Sequence, residues 1–180
     1  MNLDSGWAGA IGSIVSALII AVTAIAAFRQ LKQVRNANDI VVYLRLIDTM
    51  DSPELLEARR DLAAVSAKFA ADAAYRDAMR DPAFIPEDFR NVGPLLRFLE
   101  HMSVLVSKGG VAESLVLAEY ADTFVQIWEQ MRPVILQRRH AFGMHTGRAF
   151  EHLAMRSKRY IDSGAMDREY AALERDLREA

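Results

Sequence analysis

Residues Trp7 to Phe28 read WAGAIGSIVSALIIAVTAIAAF and carry no charged side chain. An α-helix needs about 20 such residues to cross the hydrocarbon core of a bilayer, so the run predicts a membrane span. Apolar residues continue at helical spacing through Leu31, Val34, Val41, Leu44 and Ile47, with no Pro or Gly between Gly12 and Ser52. The span is therefore expected to run on as one stalk helix to about Thr49. Asp51-Ser52-Pro53-Glu54 then reads as a helix start: Ser52 suits the N-cap, Pro53 the first helical position, and Glu54 the positive end of the dipole. The second helix should reach about Ala71, with Leu55, Leu56, Leu62 and Val65 facing inward and Glu57, Arg59, Arg60 and Asp61 mostly in water.

From Asp72 to Arg90 the pattern weakens, and the steps Asp81-Pro82 and Ile85-Pro86 break helices, which predicts a connector with one short helical piece. Leu95, Phe98, Leu99, Met102, Leu105 and Val106 then mark one apolar face, ended by Gly109-Gly110. Gly93-Pro94 either starts this helix or kinks one begun near Glu87. Leu117, Tyr120, Phe124, Trp128, Met131 and Ile135 define the next helix, with Pro133 near its end. A polar junction from Arg138 to Gly147 leads to a helix carrying Phe150, Leu153, Tyr160 and Ile161, broken at Ser163-Gly164. Met166, Tyr170, Leu173 and Leu177 form a short coiled-coil-like seam at the C-terminus.

The fold class expected is all-α: a single N-terminal transmembrane helix continuing as a stalk into a cytoplasmic helical bundle. Its parts are a short extracytoplasmic N-terminus (1–6), the span (7–28), the stalk (29–50), the bundle (51–163) and an amphipathic C-terminal helix (164–180). No strand pattern appears. Orientation follows from charge. Only Asp4 precedes the span, whereas Arg29, Lys32 and Arg35 follow it, and cytoplasmic flanks carry the Lys/Arg excess. A cleaved signal peptide would need a basic region ahead of the apolar run, which this sequence lacks. The expected location is the bacterial inner membrane, single-pass, with the N-terminus outside.

Composition narrows the chemistry. The 180 residues include no cysteine, which removes disulfides, thiolate catalysis and Cys-based zinc sites. The formal net charge of −2 offers no case for nucleic acid. Gly-rich phosphate loops, nucleophile elbows and paired helix histidines are all missing from the sequence.

The run Leu95 to Met102, then Leu105 to Val111, Tyr120, Ile127-Trp128-Glu129, Pro133 and Arg138-Arg139 resembles a bacterial family catalogued as a domain of unknown function, number 4760. The resemblance implies a membrane helix, a charged stalk and a helical region, with Phe98, Glu100, Gly109 and Trp128 at family-like structural positions. It implies no reaction, catalytic residue or cofactor. Gly110-Val111-Ala112-Glu113 departs from the family's apolar-Asp-Glu continuation, which puts the cap geometry there in question.

Several groups of residues qualify as candidate sites, each with a plain structural alternative. Ala10, Ser13, Ala17, Ala21 and Ala24 line one side of the span, where small residues let another helix approach closely. Trp7, Arg29, Lys32 and Arg35 fit interfacial anchors. Arg138, Arg139, Arg148, Arg156, Lys158 and Arg159, with Arg132 nearby, form a candidate basic patch for anionic lipid or an acidic partner. The alternative for that patch is internal pairing with acids. His145 and His152 lie seven residues apart, about 10 Å along a helix, too far to share a metal unaided. His101 beside Glu100 is expected to be a solvated pair, and Trp128 a core residue; a pocket floored by Trp128, Phe98 and Met102 is the other option. The reading that follows is a non-catalytic, cofactor-free interaction protein whose partners are the lipid bilayer and another membrane protein or itself. The alternative is a sensor or effector whose bundle binds a small ligand and signals through the stalk.

Overall fold

The computed structural model describes residues 4–168, 170, 171 and 175, and the side chains of 4–15, 35 and 36 fall outside that description. The candidate residues Trp7, Ala10, Ser13 and Arg35 are therefore outside the described side chains, and Leu173 and Leu177 are outside the described residues. The described chain is helical, with no strand among the described residues.

The first unit, up to Val41, is the apolar part of helix α1 (Asp4–Met50). It is the one described helix long and apolar enough to cross a membrane, and none of its apolar window is buried within the chain. A core helix of a soluble bundle would be mostly covered. Here Leu18, Ile19, Ile20, Val22, Ile25 and Phe28 are all exposed, as are Ala17, Ala21, Ala24, Arg29 and Lys32. Within this stretch the Thr23 hydroxyl donates to the Ile19 carbonyl at 2.8 Å, which satisfies the polar group inside its own helix.

The second unit begins at Val42. Val42, Tyr43, Leu46 and Ile47 pack against the core and Met50 is fully buried, so the last turns of α1 are part of the bundle. Helix α2 (Pro53–Ala71) starts where the sequence predicts, with the Leu55 N–H donating to the Ser52 hydroxyl at 3.4 Å. Leu55, Ala58, Leu62, Val65 and Phe69 form its buried stripe. Two expected positions differ. Leu56 is exposed, since it falls one position off the stripe. Arg59 is half-buried because its guanidinium donates to the Met50 carbonyl at 3.1 Å and ties off the end of α1.

Asp72 ends α2 and caps α3 (Ala73–Ala78), its carboxylate accepting the Tyr75 N–H at 3.0 Å. The short helical piece expected in the connector is thus present. Helix α4 (Glu87–Ser107) begins at Glu87, so the Gly93-Pro94 step lies inside it. Asp88 joins three elements: it accepts from Lys68 of α2 at 3.0 Å and from the Tyr75 hydroxyl of α3 at 3.1 Å. Gly109, at φ +69°, ends the α4 segment as a left-handed stop.

Helix α5 (Glu113–Phe142) contains Pro133 and runs beyond the expected junction. Its buried face continues through Val134, Ile135 and Arg138, so the connection shrinks to the residues from Gly143 to Gly147. Helix α6 (Arg148–Asp162) buries Phe150, Leu153, Ala154 and Ser157 and ends at Ser163-Gly164, with Gly164 at φ +65°. Beyond it Tyr170 is exposed. The ring of Phe150 meets Phe124 and Trp128 edge-on, with centroids 6.5 and 5.9 Å away, a favoured aromatic geometry. Trp128 is a core residue, 9% exposed.

Candidate functional site

The second unit carries a half-open cavity of about 600 Å³ between α4, the end of α5 and the start of α6. Its walls are built from helical periodicity. Phe89, Leu96 and Glu100 come from α4 and Ile135, Arg138 and Phe142 from α5, at the steps of three, four and seven that align residues on one side of a helix. Phe150 closes the wall from the first turn of α6.

The corner where α5 turns into α6 is close-packed. Gly147 sits at φ +68°, and a Cβ there would come within 2.5 Å of Ile135 Cγ2. Only glycine meets both the left-handed backbone and that approach. With no side chain at Gly147, α6 has no cap of its own. Glu100 supplies one from α4: its two carboxylate oxygens accept the N–H groups of Ala149 at 3.1 Å and Phe150 at 2.9 Å. The expected solvated Glu100–His101 pair is therefore replaced by a half-buried cap, because the N-terminus of α6 offers the carboxylate free donors and a positive dipole end. His101 stays exposed at the cavity rim.

Arg139 braces the same corner. Its Nε donates to the Thr146 carbonyl at 2.8 Å and its Nη2 to Glu151 at 2.7 Å.

Arg138 is the unusual wall residue, only 6% exposed. Its guanidinium lies over the Phe142 ring at 4.1 Å and near the Phe89 ring at 5.5 Å. Nη1 donates to the Phe84 carbonyl at 2.9 Å and the Met79 carbonyl at 3.4 Å. Burial pulls the Arg138 pKa below the usual arginine value, opposed by Tyr75 and by Asp81. Burial and the hydrogen bond to Asp88 push the Tyr75 phenol well above its ordinary range. No carboxylate forms an ion pair with Arg138 among the described residues.

These contacts revise the candidate basic patch. Arg138 and Arg139 are turned into the fold, and Arg156 pairs with Glu113 at 2.9 Å to join α6 to α5. Lys158 makes an exposed pair with Asp162 at 3.3 Å, while Arg148 and Arg159 are exposed. The run is thus not one basic surface: half of it holds helices together. A second, smaller hollow of about 330 Å³ lies beside Trp128, Arg132 and Lys158. Neither Phe98 nor Met102 lines it, and Met102 is buried. His140, His145 and His152 are exposed, and no cluster of metal-ligating side chains occurs among the described residues.

The cavity escaped sequence reasoning because its walls come from segments 50 residues apart. The available signal was weak: Arg138 continues the i, i+3, i+4 stripe of Val134 and Ile135, where an apolar residue is expected.

No curated protein and no solved structure matches this chain. The profile of a family described as a domain of unknown function (DUF4760) matches residues 14–157. That stretch runs from within α1 into α6 and takes in the whole cavity, so the chain belongs to the DUF4760 family.

Proposed function

We propose that this chain is a non-catalytic, membrane-anchored interaction protein, either an accessory or scaffold subunit of an inner-membrane assembly or a homo-oligomer. One observation carries the reading. Beyond Phe28, α1 keeps Leu31, Val34, Ile40, Val41 and Leu44 between 52% and 67% exposed. A bilayer core covers about 20 helical residues, and these side chains follow a run of that length. A partner helix laid along them would remove that apolar area from water. Arg29 and Lys32 after the span, against Asp4 alone before it, favour a cytoplasmic bundle and an external N-terminus.

The test is site-specific photocrosslinking in native membranes, with p-benzoylphenylalanine in place of Val34. The expected product is a discrete band, either a doubled mass or one defined second polypeptide. A chain that stays uncrosslinked and is extracted as a monodisperse monomer overturns the reading.

A second reading is favoured by the cavity: a sensor or effector whose bundle binds a small ligand and signals through α1. Its volume is in the ordinary range for small-molecule sites, roughly 300–1,000 Å³. Thermal stabilisation of the full chain against a panel of metabolites and nucleotides tests it, and a flat response to the whole panel counts against it.

A further inference from the structure

We infer that the cavity between α4, α5 and α6 binds a small monoanionic amphiphile, with its acidic head group on the Arg138 guanidinium and its apolar portion against Phe89, Ile135 and Phe150. The inference rests on the second reading above, that the bundle takes a small ligand, and names that ligand's chemical class.

The case begins with an imbalance of charge. Removing a cation from water is costly unless an anion or a full set of hydrogen bonds replaces the solvent. Arg138 is 6% exposed, yet two carbonyls on Nη1 are its only hydrogen-bond acceptors among the described residues. Its Nε and Nη2 have no hydrogen-bond partner among the described residues, and neither is fully buried, since the buried unpaired nitrogens there belong to Arg59 and Arg156, so both keep some access at a residue that lines the cavity. The guanidinium therefore has one edge tied to backbone, the Phe142 ring over its plane at 4.1 Å, and its other edge free. Such an edge presents two N–H groups in the geometry that a carboxylate accepts in parallel.

No acid among the described residues takes that place. Glu100 is the one carboxylate on the wall, and both its oxygens are spent on the first turn of α6. Asp81 influences Arg138 only at longer range. Arg90 and Arg97 add further positive charge at the rim. Apart from His101 and Thr146 the remaining wall is apolar, which favours a single charge carried by an apolar body over a polyanion such as a nucleotide.

The experiment uses the full chain in lipid nanodiscs and a decanoic acid bearing a diazirine, with adducts mapped by mass spectrometry. Adducts are expected within 85–101 and 135–150, to be competed away by excess decanoate. Arg138→Met should lower them about tenfold, the usual scale for losing one charge-assisted pair. Because Arg138 also holds the carbonyls of Met79 and Phe84, Ile85→Glu provides a second variant. Ile85 borders the cavity and is 52% exposed, so this change adds a repelling charge without disturbing the core, and it too should deplete the adducts. Labelling confined to α1, equal labelling of the cavity by the neutral diazirine-bearing decanol, or adducts unchanged by Ile85→Glu would each overturn the inference. Cavity labelling that leaves crosslinking at position 34 unaltered would instead sink only the signalling part of the second reading.

Discussion

The Glu100 carboxylate accepts the backbone N–H of Phe150 at 2.9 Å, so a side chain of α4 starts a helix that lies 50 residues further on. Losing a helix cap costs about 1–2 kcal/mol, and losing the anion at a dipole end adds a few tenths. Glu100→Ala should therefore lower the stability of the bundle by about 1–2 kcal/mol, and Glu100→Gln, which keeps an acceptor but not the charge, by less. Chemical unfolding of the full chain reads the difference. An alanine variant as stable as the parent would show that α6 does not depend on this cap.

Gly147 gives a second prediction at the same corner. Gly147→Ala meets both a left-handed φ of +68° and the Ile135 side chain at 2.5 Å. The backbone term alone is about 1–2 kcal/mol, and the contact adds to it. Ile135→Ala in the same chain should return part of the loss, a non-additivity of about 0.5 kcal/mol or more in a double-mutant cycle. Strict additivity would mean that the two residues do not press on each other.

Alkaline pH should weaken the bundle. Burial, followed by the charges of Asp51 and Glu119, pushes the Tyr120 phenol up to about 12, and Tyr75 is held higher still by burial and its bond to Asp88. Unfolded tyrosines titrate near 10. Above that pH the unfolded chain has released protons that the folded chain retains, so the unfolded state binds fewer protons and stability falls as pH rises. It is fully present below about pH 10 and declines by about 1.4 kcal/mol per pH unit for each such tyrosine until the folded group titrates. Tyr120→Phe should flatten the decline between about pH 10 and 12 by one tyrosine's share, as measured by unfolding at several pH values. An unchanged slope would remove Tyr120 from the account.

Charging the stalk should separate association from folding. Val34→Glu with Val41→Glu places two carboxylates on side chains that are 67% and 57% exposed. Exposed substitutions away from the core usually change stability by no more than about 0.5 kcal/mol, so the bundle should melt as before while the proposed crosslinking of α1, read here from p-benzoylphenylalanine in place of the 66% exposed Leu31, collapses. Loss of both together would place these valines in the fold instead.

Features governed by neighbours in the chain were legible in the sequence. Ser52-Pro53 starts α2 because an N-cap and the backbone N–H that donates to it are three residues apart, and Trp128 is core because its stripe repeats at helical spacing. The candidate site was not legible in the same way. Arg138 looks like the first residue of a basic junction until the Phe84 carbonyl, 54 residues earlier, and the Phe142 ring are placed beside it. Glu100 looks like a partner for His101 until α6 arrives. Both errors have one cause: the partner that takes a charge out of water lies far away in the chain, and spacing carries no record of it.

Phe150 completes the Phe124–Trp128 cluster and receives the Glu100 cap. The piece that closes the core is therefore made more than a hundred residues after the apolar half of α1. Until then Phe124 and Trp128 lack their edge-on neighbour and Glu100 has no helix to cap, so closure of the core must wait for α6. Between α1 and α6 the nascent chain thus carries a finished hydrophobic helix and an open core, the interval in which a chaperone or an assembly partner has the most to gain by being present.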